Sequence, residues 1–441
     1  MDFYRASLPE IAAGLKSGAI DLIGYITEVI RRIESTDNQL RALLPEPNRR
    51  ERLLADAQAL LARYPDPASR PPLFGIPVGV KDLLHVDGFE TRAGSYLPPS
   101  DLAGAEGTLV KRIRAMGGLV LGKTETDEFA HSEPPVTRNP RNVKHSPGGS
   151  SAGSAAAAAV GISPIHIGTQ TFRSIIGPAS FCGVFGYKPS WNTIPSDGVI
   201  YMADTVDTLG FLAQDLPSII MAAQLLAEVT PTPDIARPVL GFPVDVKNAA
   251  LDGDAAIALD QQLAALEAAG FEVKRVPTFS GAYLAEVGRQ IGVLLPYEMA
   301  RFHAPFFEAN QHLYRQRTLD TLLLGRTISD DQYAESRAFQ AEHRRKIEQL
   351  MDAAGIDLWV LPGSNGAAPE NYHVTGWVEM TGSWSLAGLG SVCLPAGFAD
   401  NGLPLGLQFI PRYGRDADLL AWMGFLAPVF SSQLEKLQPA A

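Results

Sequence analysis

Two cysteines in 441 residues leave no room for a disulfide framework. Cys182 and Cys393 stand far apart in apolar company, Phe181-Cys182-Gly183 and Val392-Cys393-Leu394, which is the setting of reduced, buried thiols. Two thiols alone make no zinc site. The eight histidines, at 85, 131, 145, 166, 303, 312, 343 and 373, show no H-E-x-x-H or other close ligand spacing, so neither a metal nor any other cofactor is expected. Charge is also sparse: 37 Lys and Arg stand against 48 Asp and Glu, a balance of -11, and no basic run is able to neutralise a phosphate backbone. Nucleic acid is therefore not expected as a direct ligand. No apolar run reaches the roughly 18 residues of a membrane span. The start, Met1-Asp2-Phe3-Tyr4-Arg5-Ala6-Ser7, lacks the basic and apolar regions of a signal peptide, and the expectation is a soluble, cytoplasmic protein with no membrane contact.

What is present is globular: 46% of residues are apolar, and 41 glycines and 33 prolines are dispersed instead of gathered into tracts. From Leu8 to about Arg63 apolar residues such as Ile23, Ile26, Ile30 and Ile33 recur at helical spacing, so region 1–65 is predicted helical. Beyond Pro71-Pro72 the register changes. Ile76 to Val80 reads as a buried strand, Leu109 to Met116 as a helix closed by Gly117-Gly118, and Leu119-Val120-Leu121 as a further strand. Val239 to Phe242, a helix with Leu259, Leu263 and Leu266 on one face, a stop at Gly270 and the alternating Phe271 to Lys274 together predict a strand–helix–strand crossover. Ser329 with Gln332 forms a capping-box start for a helix to about Ala354, followed by a buried strand over Asp357 to Leu361. These signals predict an α/β fold whose mixed or mostly parallel sheet is covered by helices. The best break, Thr230-Pro231-Thr232-Pro233-Asp234, is too short for a linker, so 1–441 is read as one large domain, with a core over 70–215 and the rest of the sheet and pocket helices over 235–441.

Residues 146 to 161 form a run of small residues leading into an alanine helix, and such smallness implies close backbone approach. A phosphate loop is set aside because a Walker A motif needs a Gly-Lys-Ser/Thr ending and this stretch has no lysine. Gly149-Ser150-Ser151-Ala152-Gly153 formally matches a nucleophile elbow, yet the residues before it have loop composition where an elbow needs a strand. A tight helix contact explains the alanines but not the serines interleaved with glycines.

Gly148-Gly149-Ser150-Ser151-Ala152-Gly153-Ser154 resembles the Gly/Ser-rich signature of the amidase signature family. Gly75 to Asp82, Gly122-Lys123-Thr124-Glu125 with Glu128-Phe129-Ala130, Pro178 to Val184 and Gly186-Tyr187-Lys188-Pro189 are similar to further family segments in order and spacing. Leu394-Pro395-Ala396-Gly397 and Leu403 to Gln408 extend the likeness over nearly the whole chain. The resemblance implies the amidase-signature fold and a triad of Ser174 as nucleophile, Ser150 as the second serine with a cis peptide bond, and Lys81 as base. Such a base must be neutral at rest, which burial away from carboxylates achieves. Taken alone, Lys81 reads as a strand-end lysine reaching for solvent and Ser174 as a helix cap. Asp82 is expected to bond backbone and not to pair with Lys81, since pairing would raise the lysine's pKa.

The sequence departs from the family around the nucleophile. Where the family carries Asp- or Gln-Thr-Gly-Gly-Ser-Ile-Arg, residues 170 to 176 read Gln-Thr-Phe-Arg-Ser-Ile-Ile, so Gln170 and Ile176 replace an opposite-charge pair together. The resemblance assigns the oxyanion hole to the backbone N–H groups of Thr171, Phe172, Arg173 and Ser174. If Phe172 or Arg173 requires a positive φ, strain of order 1 to 3 kcal/mol follows; if not, the hole survives. Phe172 and Arg173 are read as substrate-binding, against core packing for the first and a loop salt bridge for the second. The aromatic residues Phe302, Phe306, Trp377 and Trp384 receive no role. The expected activity is hydrolysis of a small-molecule amide or carbamate without cofactor, with a homodimer left open. The alternatives are an amidotransferase-type subunit with partner chains and an impaired pseudoenzyme.

Overall fold

The computed structural model describes residues 2–131, 133–245 and 251–437. The N-terminal helices are α1 (Leu8–Ser17), α2 (Leu22–Leu40) and α3 (Arg49–Arg63), where the periodicity predicts them. Ser7 and Glu10 close a capping box on the first, and the Asp21 carboxylate accepts from Gly24 N–H on the second, satisfying donors that a helix start leaves orphaned. Ile26, Ile30 and Ile33 are buried against the sheet, and Ile23 packs at the edge of that core.

The first half of the chain then supplies β1 (Pro77–Lys81), α4 (Thr108–Ala115), β2 (Leu119–Thr124), α5 (Ala152–Ala159), β3 (Ile165–Gln170), α6 (Ile176–Cys182), β4 (Phe185–Lys188), β5 (Thr208–Ala213) and α7 (Leu216–Leu226). The second half adds β6 (Leu240–Pro243), α8 (Gly253–Ala268), β7 (Val273–Val276), α9 (Gly281–Asn310), α10 (Gln316–Gly325) and α11 (Asp330–Ala354). It ends with β8 (Leu358–Pro362), α12 (Gly382–Leu386), β9 (Ser391–Phe398), β10 (Pro404–Ile410), α13 (Asp416–Leu426) and α14 (Ser431–Lys436). The predicted crossover is β6–α8–β7, its strands parallel, and the capping box at Ser329 and Gln332 starts α11.

All ten strands join one sheet in the order β2-β1-β3-β5-β4-β9-β10-β8-β6-β7. Pairings at the two flanks are parallel, while the five running from β3 to β8 through the centre are antiparallel. The sheet is therefore mixed and not mostly parallel. Part of the reason is local: β9 and β10 are joined by a short turn with Gly402 at φ 79, which returns the chain antiparallel to itself. Strands β1 to β5 lie on one side and β6 to β10 on the other, meeting only where Gly186, Tyr187 and Lys188 of β4 face Cys393, Val392 and Ser391 of β9.

Helices cover this sheet to give a single mixed α/β domain. The Thr230–Asp234 segment is tied down by Thr232, whose N–H donates to Ala417 O and whose hydroxyl donates to Asp418. Among the described residues no helix is long and apolar enough to cross a membrane.

Candidate active site

Small residues at 148–153 let three backbones meet. A Cβ on Gly149 would strike the Asp127 carboxylate, and one on Gly153 would strike the backbone of Ala42 and Glu125. The peptide bond between Gly149 and Ser150 is cis, and Gly148 sits at φ 80. No strand precedes Ser150, so the elbow geometry is absent here; the loop instead enters α5, every residue of which is buried.

Lys81, the last residue of β1, is fully buried. Its Nζ donates to Ser150 Oγ at 2.7 Å, Thr169 Oγ1 at 2.8 Å, Ser151 Oγ at 3.1 Å and Thr169 O at 3.3 Å. Burial lowers its pKa to about 7, with Asp127 and Asp207 opposing the shift. Lys81 is thus held in the interior by oxygen acceptors and does not reach for solvent as the isolated residue suggests. Asp82 accepts from Arg92 N–H at 3.1 Å and pairs with Lys123 at 2.6 Å, and so stays off Lys81.

Ser174 lies in the loop between β3 and α6, 5% exposed. It is not the cap of α6: Ile175 holds that position and the helix has no side-chain cap bond. Ser174 O accepts from Ser151 N–H at 3.1 Å, which fixes the nucleophile loop to the cis-serine loop. Loop carbonyls are occupied as well, Phe172 O by Ser385 Oγ at 3.0 Å and Arg173 O by Gly177 N–H at 2.8 Å. The N–H groups of Thr171, Phe172, Arg173 and Ser174, by contrast, donate to no partner among the described residues. Neither Phe172 nor Arg173 is among the described residues with positive φ, so replacing glycines by these side chains introduces no left-handed strain.

Gln170 explains how the loop does without the family's charged pair. Its Oε1 accepts from the N–H groups of Ile175 and Ile176, both at 2.9 Å, while its Nε2 donates to Ser385 Oγ at 3.0 Å. A neutral amide thus satisfies the first donors of α6, and Ile176 packs into an apolar cluster with Ala155 and Ala179. Thr171 Oγ1 donates to the Asp207 carboxylate, whose pKa burial raises to about 6.

Phe172, Arg173 and Ser174 line a cavity of about 150 Å³ together with His131, Met202 and Ile291. The Arg173 guanidinium does not close a salt bridge within the loop: its Nη2 donates to Thr375 Oγ1 at 2.7 Å, and its Nε has no partner among the described residues. Phe172 packs with Ala203, Val206 and Leu294 while presenting one side to the cavity.

Sequence reasoning missed four participants. Ser151 and Thr169 share the lysine with Ser150; Thr375 anchors Arg173; Asp127 sits over the Gly149–Ser150 peptide, its N–H donating to Ser150 O at 3.4 Å. Burial raises the Asp127 pKa to about 7, against the pull of Arg173, Lys81 and Thr375. Just beyond Asp127, Phe129 and Ala130 adopt φ 49 and 60, uncommon for such residues and found mainly where the surroundings hold the backbone tightly. Of the unassigned aromatics, Phe302 packs edge-on to Phe306 and Tyr201, and Trp384 lies against Trp359; none of the four lines the Ser174 cavity.

The Amidase family model matches residues 25–420, and the chain belongs to that family. Among its relatives is a glutamyl-tRNA(Gln) amidotransferase subunit of Thermus thermophilus, 30% identical over 93% of this chain and 94% of that protein. A crystal structure of an amidase, 28% identical, superposes with a TM-score of 0.86 over 96% of this chain and all of the other. The peptide amidase of Stenotrophomonas maltophilia shares the fold at 24% identity, with a TM-score of 0.82 over 97% of both chains.

Proposed function

We propose that this protein is a serine amidohydrolase acting on a small or medium neutral amide, with carbamates and aryl esters as further substrates. Ser174 Oγ attacks the carbonyl, and its proton passes through Ser150 Oγ to the neutral Nζ of Lys81. The four free N–H groups of 171–174 take the oxyanion. The lysine then returns the proton through Ser150 to the departing amine, leaving an acyl group on Ser174, and water repeats the sequence to release the acid. Phe172 and Arg173 belong to the substrate pocket. No step calls on a cofactor. The observation that carries the reading is the Lys81–Ser150 hydrogen bond of 2.7 Å made by a lysine whose pKa burial lowers to about 7.

A panel of p-nitroanilides, carbamates and p-nitrophenyl esters, with intact-protein mass spectrometry for the acyl adduct, tests it. Turnover and an adduct that both vanish in Ser174→Ala support the reading, whereas an adduct on Ser151 overturns it. A second reading, an amidotransferase-type subunit, is favoured by the full-length likeness to glutamyl-tRNA(Gln) amidotransferase chains. It predicts glutaminase activity and co-purifying partner chains, and the Phe172-Arg173 replacement in the nucleophile loop speaks against it.

A further inference from the structure

A second cavity, of about 360 Å³, opens beside the first, and Ile291 and Val378 line both. One face of α9 runs along the pair: Leu284, Val287, Gly288 and Ile291 border the outer cavity, and Ile291 and Leu295 border the inner one, at the spacing of a single helical stripe. From Leu284 to Leu295 the helix advances about 16 Å. Phe279 and Trp384 complete apolar walls opposite, and among the described residues the only charged side chains lining the outer cavity are the carboxylates of Asp245 and Glu379. None of Lys81, Ser150, Ser151 or Thr169 lines either space. The departing nitrogen must lie within reach of Ser150 Oγ, the atom that gives it a proton, so these cavities receive the other side of the scissile bond.

We propose that the joined cavities form an acyl-binding channel and that the preferred substrates are amides of uncharged, extended apolar acids. The proposal rests on the serine amidohydrolase reading for which bond is cut, and on the cavity walls for which group is held. Gly288 supplies the handle for testing it: it lies exposed at the rim of the outer cavity, and an added Cβ there meets no atom within 4 Å. Each methylene that enters such a channel is expected to raise kcat/KM about two- to fourfold. A terminal carboxylate is expected to cancel that gain, because it would meet Asp245 and Glu379.

Two measurements separate the channel from the chemistry. In the first, kcat/KM is followed along acetyl, butyryl, hexanoyl, octanoyl and decanoyl p-nitroanilides for the native protein and for Gly288→Leu and Ile291→Trp. A rise of at least tenfold from acetyl to octanoyl, and a tenfold or greater fall of the octanoyl-to-acetyl ratio in both variants, is the expected result. A flat or falling series in an active enzyme overturns the channel and leaves the amidohydrolase reading standing. In the second, decanamide binding to Ser174→Ala is titrated by calorimetry, which needs no turnover. Binding that Gly288→Leu weakens tenfold or more supports the channel even if no substrate is cleaved, in which case the hydrolytic reading alone fails. Absence of decanamide binding overturns the channel.

Discussion

In the proposed reaction every proton passes through one atom, Lys81 Nζ. Its proton is lost near pH 7, so kcat/KM for an amide is expected to fall as pH drops below about 7, where Nζ becomes charged and stops accepting from Ser150. Asp127, in its ionised form, and Asp207 both oppose the lowering of the Lys81 pKa. Asp127→Asn removes the charge and should move the acid limb of the profile to lower pH; a limb that stays put or moves up would show that Asp127 does not act on Lys81. Lys81→Ala should reduce amide hydrolysis far more than p-nitrophenyl ester hydrolysis, because an amine leaves only with a proton and p-nitrophenolate leaves without one. Equal losses on both substrates would remove the acid half of the relay. The assignments of Lys81, Ser150 and Ser174 were legible in the sequence only through motif resemblance. Asp127, Ser151 and Thr169 were not, because what distinguishes them is convergence in space: they come from separate segments, and no local spacing records it.

Among elements, the loop from β3 to α6 departs most from its family and is the best explained by structure. Restoring glycine at both 172 and 173 should leave the maximal rate on a small activated ester nearly unchanged, since these residues hold no left-handed φ to relieve and their N–H groups are already free. Acyl selectivity should shift instead, as the cavity beside Ser174 loses two walls. A uniform tenfold gain in kcat would sink this account and favour an impaired enzyme. Gln170→Met strips two buried N–H groups at the start of α6 of their acceptor and should cost about 2 to 3 kcal/mol in urea unfolding. The capped helix α11 and the strand over Leu358–Pro362 announced themselves through their cap at Ser329 and their apolar pattern. The 30-residue α9 did not: Pro296 and Pro305 lie inside it and its apolar stripe faces cavities, so neither its continuity nor its role followed from pattern.

At the scale of the whole molecule, two five-strand half-sheets share one seam, β4 against β9. Tyr187 and Ser190 on one side reach Asp416 on the other, at 3.1 Å and 2.9 Å, and Gln340 of α11 donates to Thr205 O at 3.1 Å. Residues 1–234 expressed alone should therefore aggregate through an exposed β4 edge, whereas co-expression with 235–441 should return soluble material; size-exclusion chromatography distinguishes the two. The site straddles that seam. Lys81, Ser150 and Ser174 belong to the first half, whereas the cavity beside Ser174 draws on both, Phe172, Arg173 and Met202 from the first and Ile291, Leu295 and Val378 from the second. Exchanging the second half alone would therefore replace only part of the wall beside Ser174 and leave Phe172, Arg173 and Met202 in place.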